Sequence, residues 1–489
     1  MTGLIMAAQL ILGLSFLVLI HEFGHFIAAR IFGIRVNKFY IFFNPKFSLV
    51  KLKKINGKIH YKFFSKNLPD TELVVDENGN PILDEKGNKK YKNIDISKLD
   101  DTDWRKHPDN TEYGLGWLPL GGYCQIAGMI DETQSIENLQ SEPQSWEFRS
   151  KPAWQRLIVV LGGVVINLIV GVLLFAMILG VYEKKYLPNE AVKDGIYAHE
   201  MAREIGFMSG DKIIGVQGEA VERFQDAVSP EMFFGSIVTV ERNRETLDVV
   251  LGEESYHLLK TGKNFISPSN FAFSVDTVLK GFTAEKIGIE KGDIILAIND
   301  SIDVRVWGSF EENIGKFANQ EIDLTILREG DTLTKSLVLD STGKIGIGIN
   351  AAPYELQNYS FFQAFVYGWK DAMLMLKLNV KGLKKIVSGE ENASESVSGP
   401  IGIAQIYGGK WIWAKFWYIT GLLSLILAFM NILPIPGLDG GFVLFTLIEM
   451  IIGRKLPDKF MEYALTVGWV ILIALMIFVF GNDIFKLFK

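Results

Sequence analysis

Four long apolar blocks constrain the fold of this chain more than any other feature of its sequence. A helix needs roughly 20 apolar residues to cross the hydrocarbon core of a bilayer. Because lipid offers no hydrogen bonds to an exposed backbone, blocks of about that length fold as membrane-spanning helices. The predicted spans are residues 3–20, continuing to about residue 32, then 157–181, 411–433 and 463–480.

Length and charge exclude simpler organisations. At 489 residues the chain is too long for one compact domain. Its net charge of -6 gives no argument for a nucleic-acid partner. The first block could instead be a secretory signal, but no basic residue precedes it and it runs into HEFGH rather than a plain cleavage site. We therefore expect it to remain as a span.

Basic side chains set the expected orientation in the membrane. Lys and Arg are abundant directly after the first span, directly before the second, and between the third and fourth. Because cytoplasmic loops carry the excess of basic residues, residues 33–156 and 434–462 are predicted to be cytoplasmic. Both termini and residues 182–410 are then predicted to lie outside.

The segments between the spans have three distinct compositions. Residues 57–112 are polar and turn-rich, which predicts a solvated insert with hairpin turns at 78–79 and 86–88. Residues 113–132 are rich in glycine and aromatic residues without helical period, which predicts a β-hairpin or β-loop close to the membrane. Residues 359–388 mix apolar side chains with lysines, which is typical of an amphipathic helix in the outer headgroup layer or of one packed against the protein.

Residues 186–350 contain a weak internal repeat. The segment GFMSGDKIIGVQGEAV (206–221) parallels GIEKGDIILAINDSIDV (288–304), and in each a Gly-Asp pair precedes an aliphatic strand and a turn. The two copies resemble consecutive PDZ domains, predicted at 186–262 and 266–350. A PDZ domain binds an extended peptide by strand addition, and the alternative is a spacer that no longer binds peptide.

The motif HEFGH (residues 21–25) places ionisable groups at membrane depth, where they are costly unless paired or coordinated. Residues four apart share one face of a helix, so the imidazoles of His21 and His25 can bind one zinc ion. Glu22 flanks them and is suited to act as general base towards the attacking water. The alternative is a hydrogen-bonded cluster of these side chains that only holds helices together.

A catalytic zinc site needs a third protein ligand and an open position. The segment NILPIPGLDGG (431–441) contains one carboxylate, Asp439, and the predicted topology puts it at the depth of the two histidines. Pro434 and Pro436 break the helix there, and unwound backbone at membrane depth lines a cavity or is buried in protein. Asp439 could alternatively cap the next helix, which is predicted to begin near residue 440.

These motifs resemble the site-2 protease family, and more narrowly the bacterial regulator-of-sigma-E proteases. The resemblance rests on HEFGH, on the Asn-x-x-Pro-x-x-x-Leu-Asp-Gly segment and on the PDZ-like modules, and it covers nearly the whole chain. It implies that His21, His25 and Asp439 bind Zn²⁺ and that Glu22 is catalytic. Two departures are Val164, where the family usually has proline, and the large 57–112 insert.

The same resemblance implies residues near the substrate. Asn431 and Pro434 match family positions beside it, although Asn431 could instead join helices by hydrogen bonding. Residues 113–132 match a membrane-associated β-loop that captures an unwound substrate as an added strand, although its glycines could be turn residues only. The predicted substrate-binding residues are Asn431, Pro434, Gly121, Gly122, Tyr123 and Asn167.

The fold class predicted from the sequence is a polytopic α-helical membrane protein with four membrane-spanning helices, a membrane-associated β-loop and two soluble α+β PDZ-like domains. The expected function is intramembrane zinc proteolysis, in an inner (plasma) membrane, of proteins with a single membrane span, such as anti-sigma factors or signal-peptide remnants. Two alternatives are a membrane-anchored PDZ scaffold without catalysis and an ion or proton transporter. A transporter usually shows more spans or paired repeats of spans.

Overall fold

The chain forms two compact units, Met1–Tyr182 with Ser360–Lys489, and Glu183–Tyr359. A computed structural model describes residues 2–68, 71–74, 81–82, 91–94, 98–100, 103–119, 121–129, 143–182, 184–233, 235–252, 255, 264–269, 273–350 and 355–488. The first unit contains the long apolar helices and a mixed β-sheet. The second contains two β-rich lobes.

The described residues contain eleven α-helices, numbered in chain order: α1 (Thr2–Ile31), α2 (Ala153–Val181), α3 (Glu200–Ile205), α4 (Thr283–Lys286), α5 (Trp307–Ile314), α6 (Phe361–Val387), α7 (Ala393–Ser396), α8 (Pro400–Tyr407), α9 (Trp413–Ile432), α10 (Asp439–Ile452) and α11 (Asp458–Leu487).

Twenty-one strands are found in the same described residues: β1 (Val36–Ile41), β2 (Phe47–Ile55), β3 (Lys58–Lys66), β4 (Thr71–Leu73), β5 (Tyr91–Asn93), β6 (Glu112–Leu115), β7 (Tyr123–Ile126), β8 (Lys184–Tyr186), β9 (Ile196–Ala198), β10 (Lys212–Val216), β11 (Glu219–Ala220), β12 (Ser236–Arg242), β13 (Glu245–Leu251), β14 (Ile266–Pro268), β15 (Ser274–Val278), β16 (Ile294–Ile298), β17 (Ile302–Asp303), β18 (Glu321–Arg328), β19 (Asp331–Val338), β20 (Ile347–Asn350) and β21 (Glu355–Gln357).

Four of the described helices are long and apolar enough to cross a membrane, namely α1, α2, α9 and α11. They coincide with the four predicted spans, although α2 begins earlier, α11 is longer at both ends and α9 is slightly shorter than predicted. The region 411–441, which comprises the predicted third span and the segment around Asp439, is not one continuous helix. Helix α9 ends at Ile432, and α10 begins at Asp439 after a short non-helical stretch, because two prolines in that stretch cannot continue the hydrogen-bond ladder.

Helix α6 packs lengthwise against α2, which differs from the predicted position in the outer headgroup layer. Its small residues Ala364, Gly368 and Ala372 are buried and lie four apart, on one face. A Cβ on Gly368 would come 2.5 Å from the backbone nitrogen of Ala176, so glycine permits this close approach. Small residues at such an interface are the usual way for membrane helices to pack closely. The alternative interpretation of a packed amphipathic helix therefore fits this stretch.

A five-stranded sheet with the order β3-β2-β6-β1-β7 follows α1. Strands β1 and β6 are parallel, and β7 pairs with the other edge of β1. Of the two structures predicted for 113–132, the β-hairpin is wrong, because β1 lies between β6 and β7, and the β-loop stays a prediction. Strand β3 also belongs to this sheet through a tight turn at Asn56 and Gly57, both with positive φ. The insert thus begins with an exposed strand, while the turns predicted at 78–79 and 86–88 lie outside the described residues.

This sheet is fixed to the membrane helices by one apolar cluster. Ala29 of α1, Val36 of β1, Ile126 of β7 and Val159 of α2 are all buried in it. Burying such side chains stabilises the arrangement by about 1.5–3 kcal/mol for each large aliphatic group. The C-terminal end of α1, which carries HEFGH and is predicted to face the cytoplasm, therefore packs between the sheet and α2.

The second unit consists of two lobes with the same strand order. The first lobe has the sheet β11-β10-β12-β13 and the second has β17-β16-β18-β19. Each adds a two-stranded pair, β14-β9 in the first and β15-β20 in the second. Because β14 pairs with β9, the first lobe extends to Pro268, past the boundary predicted between residues 262 and 266.

In each lobe the aspartate of the Gly-Asp motif is buried and forms an ion pair with an arginine. In the first lobe, Arg242 donates to both carboxylate oxygens of Asp211 at 2.7 Å. In the second, Arg328 donates to both oxygens of Asp293, also at 2.7 Å. The repeat detected in the sequence is thus a repeat of structure, in which an arginine at the end of one strand anchors the aspartate before another.

Glu312 of α5 joins the two lobes. Its carboxylate accepts hydrogen bonds from Arg203 at 2.6 Å and from Tyr197 at 3.0 Å, both in the first lobe. His199 is buried beside them, and its Nε2 lies 2.8 Å from the Ser267 hydroxyl oxygen. The polar stretch of sequence around His199 predicts a surface residue, and this prediction is wrong because the side chain is buried. Burial lowers its pKa below the usual value despite the nearby carboxylate.

Candidate metal centre

The motif HEFGH lies on the last turns of α1, where the helix continues without interruption to Ile31. His21 and His25 are four residues apart and project from the same face. Their Nε2 atoms are 3.2 Å apart, and the His25 side chain is buried. Glu22 is half-buried on the adjacent face and interacts electrostatically with His25. The motif therefore presents two imidazole nitrogens to one point, with a carboxylate beside them.

Asp439 reaches the same point because the chain reverses between α9 and α10. Gly437 has a φ of +96°, which favours glycine, and it follows Pro436 in the reversal. A Cβ on Gly441 would lie 2.7 Å from the Cα of Pro436, so the first turn of α10 packs directly on the preceding loop. The two glycines and the prolines together fix the entry into α10. Asp439 is its first residue.

Three side chains from distant parts of the chain converge at this point. The Oδ2 atom of Asp439 lies 3.1 Å from His21 Nε2 and 3.4 Å from His25 Nε2. Zinc ligands in a tetrahedral site, each about 2.0–2.2 Å from the metal, are separated by roughly 3.3 Å. The observed separations match that value. Within the described chain, this is the one group of three metal-ligating side chains whose donor atoms lie within 4.8 Å of one another.

The hydrogen bonding of Asp439 also fits a metal ligand better than a helix cap. Its Oδ2 atom is buried and has no hydrogen-bond partner among the residues that the structure describes. Leu438 occupies the capping position of α10, with no side-chain hydrogen bond. A buried carboxylate oxygen without a donor is costly, and a divalent cation at the point of convergence would remove that cost. The residues present therefore fit zinc.

Asn431 lies at the edge of this group and Pro434 lies further along the reversal. The Nδ2 atom of Asn431 is 3.4 Å from His21 Nε2. Pro434 is exposed in the stretch between α9 and α10. Asn431 thus presents an amide donor beside the three convergent side chains.

The predicted substrate residues Gly121, Gly122 and Tyr123 lie where β7 begins. A Cβ on Gly122 would be 2.6 Å from the Tyr40 carbonyl oxygen and 3.3 Å from a methyl group of Val18, one turn before His21. Tyr123 stacks on Tyr40 with a ring-centroid separation of 5.2 Å. These residues therefore hold β7 beside α1, and in the described residues β7 is an edge strand of its sheet.

Asn167 is fully buried in α2, and it contacts the Nδ1 side of the His21 ring, whereas Asp439 faces the Nε2 side. Its Nδ2 atom lies 3.2 Å from Nδ1 of His21. Its side chain has no exposed surface in this structure. Sequence reasoning missed two further residues that touch the histidines, Val159 and Gly163. The only available signal was the Gly162-Gly163 pair inside an apolar span, which indicates close helix packing but names no partner.

Comparison with known proteins identifies the family. The profile of the family described as "Peptidase family M50" matches residues 9–64 and 99–475. A Vibrio cholerae protein named "Putative zinc metalloprotease" is 26% identical over 519 residues, which cover 98% of both chains. The "Regulator of sigma E protease" of Haemophilus influenzae is 22% identical over 508 residues, again 98% of both chains.

A Clostridium perfringens protein, also named as a "Putative zinc metalloprotease", is 33% identical over 218 residues, which cover 43% of this chain and 63% of that protein. The family match favours a peptidase over the scaffold and transporter alternatives, because it includes HEFGH and the segment around Asp439. The chain belongs to peptidase family M50, the site-2 protease family, and is a zinc metalloprotease.

Proposed function

We propose that this protein hydrolyses peptide bonds within or near the membrane spans of other membrane proteins. In this proposal His21, His25 and Asp439 hold the zinc ion and Glu22 is the general base. The proposal is carried by the convergence, within 3.1–3.4 Å, of two imidazole nitrogens of α1 and one buried carboxylate oxygen at the start of α10. Helix α1 is long and apolar enough to span a membrane.

The chemistry assigned to each side chain follows from its position. Zinc, when bound, polarises the scissile carbonyl and makes water nucleophilic near neutral pH. Glu22 takes the proton from the attacking water and later delivers it to the leaving nitrogen. Asn431 donates from its amide to the substrate carbonyl oxygen as negative charge develops there. The distance from Asn431 Nδ2 to His21 Nε2, 3.4 Å, supports this role because the amide is next to the reacting centre.

Substrate delivery requires an unwound chain, because a helical substrate hides its carbonyls in intrahelical hydrogen bonds. Strand β7 is suited to receive that chain by strand addition. Support comes from its edge position and from Gly122, which brings the start of β7 against Val18 of α1. Strand β6 lacks a free edge because β2 and β1 flank it. Tyr123 assists by stacking on Tyr40 and so fixing the position of β7, while Pro434 is proposed to border the bound peptide.

The proposed location is the bacterial inner membrane, with residues 33–156 and 434–462 in the cytoplasm. The distribution of Lys and Arg supports this orientation. The proposed substrates are proteins with one membrane span, such as anti-sigma factors or remnants of signal peptides. The similarity to a regulator of sigma E protease over 98% of both chains supports this substrate class.

The two lobes of the second unit are proposed to be PDZ domains that exclude substrates with large outer domains. Their shared strand order and shared Asp–Arg pairs support a tandem repeat. Deleting residues 190–350 is expected to allow cleavage of full-length substrates that the intact protein rejects. If the deletion variant still rejects those substrates while cleaving shortened ones, this filter role is wrong.

The proposed activity is tested by trapping uncleaved substrates. Wild type, Glu22→Gln and the control Glu245→Gln, on an exposed position of β13, are expressed in cells lacking the native copy. We expect membrane-stub peptides to accumulate only with Glu22→Gln, identified by mass spectrometry of the membranes. The same peptides disappearing at equal rates in all three strains would contradict the proposal.

A further inference from the structure

One face of α2 contacts both histidines. Val159, Gly163 and Asn167 follow one another at intervals of four, so they lie in a single stripe along the helix. All three are buried. We call these residues the orienting stripe. Each meets an imidazole in a different way, and none of them contributes to the three convergent donor atoms.

Val159 fixes the tautomer of His25. Its carbonyl oxygen lies 2.9 Å from Nδ1 of His25. A backbone carbonyl can only accept a hydrogen bond, so Nδ1 must carry the proton. The lone pair of the neutral ring is then on Nε2, the atom that faces Asp439. A second hydrogen bond of this kind is the usual means by which proteins orient a metal-binding histidine.

Gly163 leaves the space that both rings occupy. A Cβ at this position would lie 2.5 Å from His25 Nε2, 2.5 Å from His21 Cε1 and 2.7 Å from His21 Nδ1. Such distances are shorter than real carbon contacts. Both rings belong to α1, which packs against α2 at this point. A side chain at residue 163 would therefore push the rings away from the point of convergence.

Asn167 is the partner of the remaining ring nitrogen, Nδ1 of His21. Its Nδ2 atom lies 3.2 Å from Nδ1, and its Oδ1 atom is buried without a hydrogen-bond partner among the described residues. Rotating the amide about χ2 exchanges the two atoms, so that Oδ1 accepts from an Nδ1–H group. The rotation moves Nδ2 to the position that Oδ1 occupies now, and only this orientation leaves the lone pair of His21 on Nε2. The Ser424 hydroxyl donates to the Asn167 backbone carbonyl at 2.7 Å and holds this part of α2 against α9.

We propose that the orienting stripe sets both imidazoles for zinc, with Asn167 as the positioning residue of His21. This inference rests on the proposed function, in which His21 and His25 are ligands. An amide can hydrogen-bond to either tautomer of His21, because it has both a donor and an acceptor. A carboxylate only accepts, so it stabilises only the tautomer with the proton on Nδ1 and the lone pair on Nε2. If Asn167 only filled space, Asn167→Leu would be tolerated better than Asn167→Asp, because a buried carboxylate is costlier than an apolar side chain of similar size.

The test measures metal binding to the full-length protein in detergent. Metal-free wild type, Asn167→Leu, Asn167→Asp and Gly163→Ala are titrated with Co²⁺, followed by its visible absorption, and with Zn²⁺ in competition with a chelator. We expect Asn167→Leu and Gly163→Ala to weaken binding roughly tenfold or more, the usual effect of losing an outer-shell partner. Asn167→Asp is expected to bind within about threefold of wild type, a smaller change than that outer-shell effect.

Gly171→Ala is the matched control. It is a buried glycine two turns further along α2, and a Cβ there would meet the flexible side chain of Leu425 at 2.5 Å. We expect its Co²⁺ spectrum and affinity to equal those of wild type. If Asn167→Asp binds more weakly than Asn167→Leu, or if Gly163→Ala binds like Gly171→Ala, the orienting stripe is wrong. If wild type itself binds no metal, the proposed function fails instead.

Discussion

Aspartates in the two units differ in the number of hydrogen-bond donors that the surrounding protein offers them. In the second unit, Asp211 and Asp293 are 0% and 1% exposed, and each receives both arms of an arginine and one backbone N–H group. In the membrane unit, the side chain of Asp439 is 16% exposed, and its Oδ2 atom has two imidazoles nearby but no hydrogen-bond partner in the described chain.

This difference separates carboxylates that hold the fold from one that is available for chemistry. A buried charge is tolerated when donors from the protein replace the lost water. Asp211 and Asp293 meet that condition within their own lobes. Asp439 meets it only when a cation is added. Substitution of the lobe aspartates should therefore affect stability, and substitution of Asp439 should affect metal binding and activity.

The largest expected effect is that of Asp439→Asn. Removing the third ligand should abolish stoichiometric zinc and lower peptidase activity by about a thousandfold or more, because the remaining groups cannot activate water as the ion does. Thermal unfolding in detergent should change little. Metal analysis and cleavage of a single-span substrate check this expectation. A variant with full zinc content would show that Asp439 is not a ligand and would remove the contrast with the lobes.

A second test removes one of the satisfied carboxylates. Asp293→Ala removes two hydrogen bonds from Arg328, which keeps Glu290 as a partner, and should destabilise the second lobe by about 2 kcal/mol, within the range for hydrogen bonds to charged groups. Urea-dependent hydrogen exchange of the full chain, measured by mass spectrometry, follows this lobe. Peptides from the first lobe are the internal control. Equal destabilisation of both lobes would mean that the two ion pairs do not act locally.

Acid should reproduce part of that effect. Burial disfavours ionisation of Asp293, but hydrogen bonds from Arg328 and from the Glu290 N–H group more than offset it and hold the pKa below its usual value. A depressed folded-state pKa contributes stability that is complete above the unfolded value and is lost as pH falls through the folded one. The second lobe should therefore lose stability below about pH 4. Asn at position 293 cannot titrate, so Asp293→Asn should flatten this dependence in the same exchange experiment.

The smallest expected effect concerns a buried aspartate in the membrane unit that is satisfied by backbone alone. Asp483 of α11 is 3% exposed and accepts from the N–H groups of Gly399, Ile401 and Gly402 at the start of α8. Asp483→Ala should cost about 1 kcal/mol, as for loss of a helix cap, with zinc content unchanged. Faster amide exchange at the start of α8 is the measurement. Loss of zinc from this variant would show that the metal site depends on a second carboxylate of this unit besides Asp439.

Much of the fold was predictable because it is encoded in local composition. The four spans follow from apolar length, the break before Asp439 from two prolines, and the lobes from a repeated Gly-Asp pattern. The depth of Asp439 relative to HEFGH followed from topology alone. These features depend on residues close together in sequence or on the bilayer as a common reference.

The remainder depends on partners that no local pattern names. Asn167 was predicted to meet substrate, but the structure places its amide against His21 from behind. The β6–β7 hairpin was wrong because a strand 70 or more residues earlier inserts between the two. The arginines that anchor Asp211 and Asp293 look like ordinary strand-end residues in the sequence. Pairing across helices and sheets decided each of these cases.

The ligands proposed here come from opposite ends of the chain, and this has a consequence for biosynthesis. A ribosome releases HEFGH into the membrane early, when neither α2 nor α10 has been made. Until residue 439 is inserted, the nascent protein has two imidazoles and no carboxylate to complete the set. A product that stops before residue 439 should therefore be inert, and cleavage of neighbouring proteins should begin only after α10 has been inserted.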